Sequence, residues 1–405
     1  MEEIQVPPYF LCPISLEIMK DPVTVSTGIT YDRENIEKWI FSGKNNTCPV
    51  TKQGILDGDG GELTPNIILR RYIQSWCTLH AAHGIERFPT PKPPVSRSQI
   101  AKLLKDAESP HMQAECLQRL RVIASESEAN RRCMESAGAA VFLASIIRNN
   151  NNGSDEALSL LHNLRLSEES LKSLAGHDNY SNNLQFIESL IRAMQTQNYE
   201  SRAFAVMLLK SILKVSEPLQ LTTLKPSLYH ATVQILKDSI SQKASKAALH
   251  ILIHVSPWAR NRIKAVEAGA TAVLIDLLLE STEKRTCEMI LTSLDQLCQC
   301  AEGRAELLSH PAGLAVVSKK IFRVSHAASD RAVKILYSVS RFSATAAVVH
   351  EMLQLGVAAK LCLVTQVDCG SKTKERAKEI LKMHAKSWKN SPCIPMNLAS
   401  SYPSS

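Results

Sequence analysis

The chain has 405 residues, 44% apolar and 21% charged, with a net charge of +8, an aromatic content of 5% and 11 cysteines. At about 150 residues per domain this length allows two or three domains with ample apolar surface for a core, and the composition excludes a disordered, collagenous or coiled-coil protein over most of its length. No apolar stretch runs for about 18 residues without a charge and the opening MEEIQVPPYF lacks a secretion pattern, so a soluble, intracellular protein with reduced thiols is expected.

The first elements are short and rich in turns. Pro7, Pro8 and Pro13 stiffen the entry, and residues 22–31, Pro-Val-Thr-Val-Ser-Thr-Gly-Ile-Thr-Tyr, read as a hairpin turning at Thr27-Gly28. Asp32 is placed to cap a helix over 33–42, with Ile36 and Ile40 on one face and Trp39 on a neighbouring stripe, free for an outside partner. Asn66 can cap a closing helix over 67–76. The unit predicted is a compact three-stranded sheet with one central and one closing helix. Between them, residues 57–62 superficially resemble a calcium loop but lack the Gly at position 6 and the Glu at position 12, so a mobile turn is expected.

Cys12 and Cys48 stand in a frame with the spacing of a zinc RING. Such a site needs four ligand pairs, because each tetrahedral zinc takes four Cys or His. Here Ser15 and Thr51 follow the two thiols, the middle ligand places fall on Thr27, Ile29, Asp32 and Asn35, and no His precedes His80. Two thiols cannot hold two zinc ions. RING spacing without RING metal resembles the U-box. Cys12-Pro-Ile-Ser-Leu, Asp21-Pro-Val, Gly28-Ile-Thr-Tyr-Asp-Arg33, Cys48-Pro-Val-Thr and Leu63-Thr-Pro-Asn66 carry that resemblance across residues 5–79. It implies a fold with no metal or other cofactor, in which hydrogen bonds and salt bridges replace zinc. The candidates for that network are Ser15, Glu17, Asp21, Ser26, Asp32, Arg33, Thr51 and Asn66, each of which also reads as an ordinary cap or surface charge.

Pro89, Pro91, Pro93 and Pro94 then make residues 84–97 an extended linker. Beyond it the chain reads as helices that repeat. A small residue, two variable positions and then two mostly apolar ones recur at Ala114, Ala157, Ala203, Ala248, Cys287, Ala332 and Ala377, at steps of 43, 46, 45, 39, 45 and 45 residues. Gly138, Gly269, Gly313 and Gly356 keep the same period and are expected to break the chain before each next unit. Cys287, Ile290, Leu291, Leu294, Leu297 and Cys298 give the long final helix of one unit a continuous apolar face. A period of about 40–47 residues in helical sequence matches armadillo or HEAT repeats, which bury their faces only against neighbours. The fold class is therefore mainly α: a small α+β U-box, zinc-less and RING-like, over 1–83, the linker, an armadillo-type α-solenoid over 98–389, and a disordered tail over 390–405.

A U-box joined to armadillo repeats is similar to the plant U-box ubiquitin ligases. That resemblance implies an enzyme without a covalent ubiquitin intermediate, which docks a ubiquitin-charged conjugating enzyme and orients the thioester for attack by a substrate lysine. The docking positions it implies here are Ile14, Leu16, Trp39, Pro49 and Val50, with Lys52 bridging conjugating enzyme and ubiquitin. U-boxes of the family often pair, so a homodimer through this unit is a further expectation, although no residue marks it.

Charge is divided along the chain. Residues 1–79 hold 7 Lys/Arg and 10 Asp/Glu, a net −3, whereas the remainder holds 40 against 29, a net +11. The final helices carry Arg119, Arg121, His162, Asn163, Arg165, Lys210, Lys214, His254, Lys334, Arg341 and Lys382 at polar positions, which read as a groove for an acidic or extended protein segment or as solvated helix faces. Neither a basic run nor interleaved aromatics point to nucleic acid. The reading is a ubiquitin ligase in plant stress or defence signalling, cytoplasmic and extending to the nucleus; its alternative is a non-catalytic scaffold with a degenerate U-box.

Overall fold

In the structure, a computed structural model, residues 5–43, 45–55, 63–86, 95–149, 153–175, 180–389, 391–394 and 402 are described. The turn at 57–62 and most of the 84–97 linker lie outside them. The chain forms two compact units, Met1–Ala139 and Ala140–Ser405.

The first unit begins with a sheet of order β2-β1-β3, in which β1 (Pro22–Thr24) pairs antiparallel with both β2 (Thr30–Asp32) and β3 (Thr64–Pro65). The hairpin turns at Thr27-Gly28, where Gly28 has φ +81° and donates its N–H to the Val25 carbonyl at 2.9 Å. Strand alternation sends Val23, Val25 and Tyr31 inward. There they meet Ile36 of α1 (Arg33–Glu37), Ile40 of the π turn that extends it to Ser42, and Ile73 and Cys77 of α2 (Ile67–Leu79). The Asn66 side chain accepts from Leu69 N–H at 3.0 Å and so caps α2 as predicted. Asp32 occupies the cap position of α1 without capping it. Its carboxylate instead accepts from the Lys20 and Asp21 N–H groups at 2.8 and 2.9 Å, just before β1. Three helices complete the unit: α3 (Arg97–Asp106), α4 (Pro110–Glu126) and α5 (Glu128–Ser136).

Glu37 couples α1 to α5. Its side chain is 5% exposed, lies 3.8 Å from Arg33, accepts from the Ala129 N–H, and leaves Oε1 without a hydrogen-bond partner among the described residues. Burial raises its carboxyl above the ordinary range, against a smaller opposing pull from Arg33. A carboxyl raised on folding gives its full contribution to stability below its unfolded pKa and loses it as pH rises through the folded one. Glu37→Gln should therefore melt at a higher temperature than wild type near neutrality, and the gap should close in mild acid.

The second unit is a succession of helix triplets. After α6 (Ala139–Asn149) and α7 (Ser154–Asn163) come α8 (Glu168–Ala175), α9 (Tyr180–Ala193) and α10 (Tyr199–Val215), then α11 (Pro218–Thr222), α12 (Pro226–Asp238) and α13 (Gln242–Val255). Next are α14 (Ala259–Glu267), α15 (Ala270–Glu280) and α16 (Lys284–Leu297), followed by α17 (Ala301–Ser309), α18 (Gly313–Lys320) and α19 (His326–Phe342). The last triplet is α20 (Ala346–Gln354), α21 (Val357–Gln366) and α22 (Ser371–Met383), with the single turn α23 (Ala385–Trp388) after it. Each final helix packs on its predecessor, in the order α7, α10, α13, α16, α19, α22. The apolar face read on α16 is buried throughout, from Cys287 to Cys298. Polar side chains tie the stack together. The lysines Lys264, Lys320 and Lys360 each donate across a full repeat to the carbonyls of Leu224, Ser281 and Ser318 at 2.6, 2.9 and 3.0 Å, satisfying groups that helix ends leave open.

The glycine period is real but its place differs from the one expected. Gly269 and Gly356 stand between the first and second helices of one triplet, not before a new one, with φ +83° and +68°. The chain reverses there across two residues, whereas the three-residue links before α14, α17 and α20 turn without a left-handed residue. Gly313 keeps the period for another reason: a Cβ there would run into the Leu307 carbonyl oxygen, while one on Gly269 would meet nothing. Gly269→Ala should cost about 1–2 kcal/mol in urea unfolding, from backbone strain alone, and Gly313→Ala should cost more.

The described part of the tail is packed and not free. Ile394 and Tyr402 are buried, and the Tyr402 hydroxyl donates to the Leu381 carbonyl at 2.6 Å. An aromatic ring whose polar end finds a partner is readily held. Among the described residues no single helix is long and apolar enough to cross a membrane.

Candidate functional site

Residues 12–17 and 48–53, Cys-Pro-Ile-Ser-Leu-Glu and Cys-Pro-Val-Thr-Lys-Gln, fold alike. Cys12 N–H donates to the Glu17 carbonyl at 2.8 Å and Leu16 N–H to the Cys12 carbonyl at 2.8 Å; the matching bonds from Cys48 to Gln53 and from Lys52 to Cys48 are 2.7 and 2.9 Å. Each loop is closed by one antiparallel bridge, Leu11 with Ile18 and Thr47 with Gly54. The fifth residue of each is left-handed, Leu16 at φ +59° and Lys52 at +61°. This conformation costs an L-residue about 1–2 kcal/mol, and here it projects both side chains into solvent.

The two thiols sit at the hydrogen-bonded centres of these loops. Cys12 Sγ accepts from the Asp32 N–H at 3.3 Å and the Asn35 amide at 3.7 Å, while Cys48 Sγ lies 2.9 Å from the Tyr31 hydroxyl and accepts from the Thr51 N–H at 3.5 Å. Burial opposes ionisation of Cys48, but the Thr27, Thr51 and Tyr31 hydroxyls around the sulfur outweigh it and lower the thiol to about 6. Burial and the same contact push Tyr31 up. Both thiols are fully buried, so this polarity makes Cys48 a good acceptor and not an accessible nucleophile.

Two further bonds join the loops to the central helix. Asn35 donates to Ser15 Oγ at 3.1 Å, and one turn later Trp39 Nε1 donates to the Thr47 carbonyl at 2.8 Å. First loop, helix and second loop thereby form one continuous surface. Ile14 and Trp39 pack on the core with one side, Pro49 is half-buried, Leu16 and Val50 are 73% and 53% exposed, and Lys52 stands free at the end of the second loop. Exposed apolar residues of this size, fixed by a strained backbone, form a surface suited to a protein partner.

The polar residues singled out in the sequence divide into two groups. Asp21 is the hub: it takes Arg33 Nε at 2.6 Å and Arg70 Nη1 at 3.4 Å. Ser26 donates to the Ile55 carbonyl at 3.2 Å, Asn66 reaches Thr24 and Thr30 at 3.4 and 3.5 Å, and Thr51 Oγ1 accepts from the Gln53 N–H at 3.4 Å. Glu17 takes part through its backbone, and its carboxylate lies exposed in solvent. Sequence reasoning missed Tyr31, Asn35, Arg70 and the thiols as acceptors; the Asn35 spacing from Cys12 was visible only as an unfilled zinc position.

The basic positions of the repeats fall in separate places. Arg119 and Arg121 lie on α4 in the first unit, where Arg119 pairs with Glu115 at 2.7 Å. Asn163 ends α7 and Arg165 follows it at φ +52°. Lys210 and Lys214 lie on α10, and Lys334 and Arg341 on α19. Burial first, and then the charges of Lys210, Lys243 and Arg165, hold His162 below its ordinary value; burial, Lys210, Arg285 and Lys214 do the same to His250. A belt of positive charge therefore crosses α7, α10, α13 and α16.

The U-box domain family matches residues 6–82, and the family described as the plant U-box protein ARM repeat region matches residues 99–404. Among curated relatives, the E3 ubiquitin-protein ligase PUB23 of Arabidopsis thaliana is 59% identical over 99% of this chain and 98% of its own length. E3 ubiquitin-protein ligase PUB22 of the same plant is 53% identical over 99% of each, and E3 ubiquitin-protein ligase PUB24 is 38% identical over 98% and 96%. Among solved structures, an engineered protein superposes with a TM-score of 0.52 at 16% identity, covering 83% of this chain and 77% of that one.

Proposed function

The chain belongs to the plant U-box E3 ubiquitin ligases with armadillo repeats, RING-type transferases, and from that premise we propose that it docks a charged conjugating enzyme on the loop–helix–loop surface of residues 14–52. The observation that carries this reading is the pair of bonds from Asn35 to Ser15 and from Trp39 to Thr47, which fix Ile14, Leu16, Pro49 and Val50 on either side of the helix. A ligase of this kind holds the thioester in a reactive arrangement and forms no bond to ubiquitin itself. Lys52, charged and exposed at the rim, reaches toward the ubiquitin of the docked pair.

The repeats recruit the substrate. The belt around His162 and His250 offers several cations to an acidic protein segment, and its charge steers such a partner inward. The exposed stripe Ile68, Tyr72 and Leu79 on α2 suits a second copy of the chain, so the active form is a homodimer. The setting of this activity is plant stress or defence signalling in the cytoplasm and nucleus, a reading that rests on the architecture.

The test is discharge of ubiquitin from a loaded conjugating enzyme onto free lysine, followed on non-reducing gels. Faster discharge with the full chain present, undiminished after dialysis against a chelator and with no ubiquitin thioester on the ligase, supports docking. A ubiquitin adduct on the ligase that disappears in Cys48→Ala overturns it.

A further inference from the structure

Helices α16, α19 and α22 frame a cleft of about 460 Å3 lined by Asp295, Gln299, Lys334, Tyr337, Arg341 and Arg376. Lys334, Arg341 and Arg376 line it with Asp295, and Arg331 and Asp330 pair with these lining residues. Arg331 donates to Asp295 Oδ2 at 2.8 Å, and Asp330 receives Lys334 at 2.9 Å and Arg376 at 3.5 Å. Arg341 has no carboxylate partner among the described residues. It is nevertheless held in place: Nη1 donates to the Tyr337 hydroxyl at 3.0 Å, and the guanidinium lies 5.4 Å from the centre of the Phe342 ring. A positioned and uncompensated guanidinium beside two further cations is a receptor for an anionic group, since its donors are already oriented.

A second observation narrows the ligand. The Asp295 side chain is 7% exposed, and its Oδ1 has no hydrogen-bond partner among the described residues. A buried acceptor left open favours a ligand that brings an N–H. The cleft thus offers a cationic site and an unfilled acceptor side by side, across the final helices of three successive repeats.

We propose that this cleft binds an extended acidic segment of the protein substrate, with a side-chain carboxylate or phosphate on Arg341 flanked by Lys334 and Arg376, and a backbone N–H of the same segment on Asp295. This deepens the substrate-recruiting role given to the repeats and rests on it. Alternating charge within the cleft separates such a segment from a simple polyanion, which would be repelled by Asp295.

The experiment uses the full chain and fluorescence anisotropy of three short labelled peptides of one sequence, differing only in a central Glu, phosphoserine or Gln. Binding of the Glu or phosphoserine peptide and not of the Gln peptide, weakened roughly 10- to 100-fold by Arg341→Glu and largely restored by Arg341→Lys, supports the site. Which of the two anionic peptides binds tighter identifies the anion. Circular dichroism melts confirm that the variants fold. Equal binding of all three peptides, absence of binding to the wild-type chain, or indifference to a folded Arg341→Glu overturns the site. The broader role of the repeats is tested separately by Arg165→Glu combined with Lys210→Glu: loss of substrate ubiquitination there, with no peptide binding at the cleft, removes this proposal and leaves the role intact.

Discussion

Ile14→Ala keeps its fold and loses docking of the conjugating enzyme. Ile14 sits in the first loop with one side on the core and the other at the surface, so truncation removes part of its packing and costs roughly 1 kcal/mol of stability. Its share of a docking interface is larger. An anchor at the middle of such a patch contributes about 2 kcal/mol, or roughly 30-fold in affinity, and chain formation falls with it. Trp39→Ala should lose at least as much, because it also frees the Thr47 carbonyl and with it the second loop. Autoubiquitination with a charged conjugating enzyme, read beside a thermal melt, measures both. Full-rate chain formation by a folded Ile14→Ala would place the docking surface elsewhere.

Asp21→Ala unfolds the N-terminal unit under conditions where wild type is stable. The carboxylate is 17% exposed and receives two guanidiniums whose own exposure is 16% and 19%, so its removal takes a poorly solvated cation's nearest carboxylate from both α1 and α2 and leaves Arg33 only the more distant Glu37. Breaking a buried pair costs about 3–5 kcal/mol, and the residual solvent access here reduces that to about 2–3 kcal/mol. Asp21→Asn should lose less, because the amide oxygen still accepts. Urea unfolding followed at the tryptophans of this unit, Trp39 and Trp76, measures the loss, and a midpoint equal to wild type would mean that Asp21 contributes nothing to the fold.

Much of the architecture is legible in the sequence because it is periodic or local. The hairpin at Gly28, the cap at Asn66 and the apolar face of α16 each depend on residues a few places apart. The paired loops are legible for another reason: Cys and Pro recur in the same order, at 12–17 and again at 48–53. What escaped are choices between partners. Asp32 has the type and position of a helix cap, but two strand-end N–H groups compete for its carboxylate and win. Glu17 looks like a network residue, yet only its backbone is used. One signal was available and unread. Asn130-Arg131 and Asn261-Arg262, eight residues before Gly138 and Gly269, perform the same task. Asn130 donates to the Ile123 carbonyl at 3.1 Å and Asn261 to the Val255 carbonyl at 3.0 Å, each closing the end of the preceding final helix.

The sealing of the loop thiols gives the protein a built-in clock. Cys12, Cys48 and Cys77 are all enclosed in the N-terminal core, whereas Cys393 is exposed. An alkylating reagent reacts with Cys393 at once and with the other three only when that core opens, so their labelling rate times the opening event. Because the labelled position is found by mass, opening of the surface proposed to dock the conjugating enzyme can be followed in the intact ligase, with no residue changed.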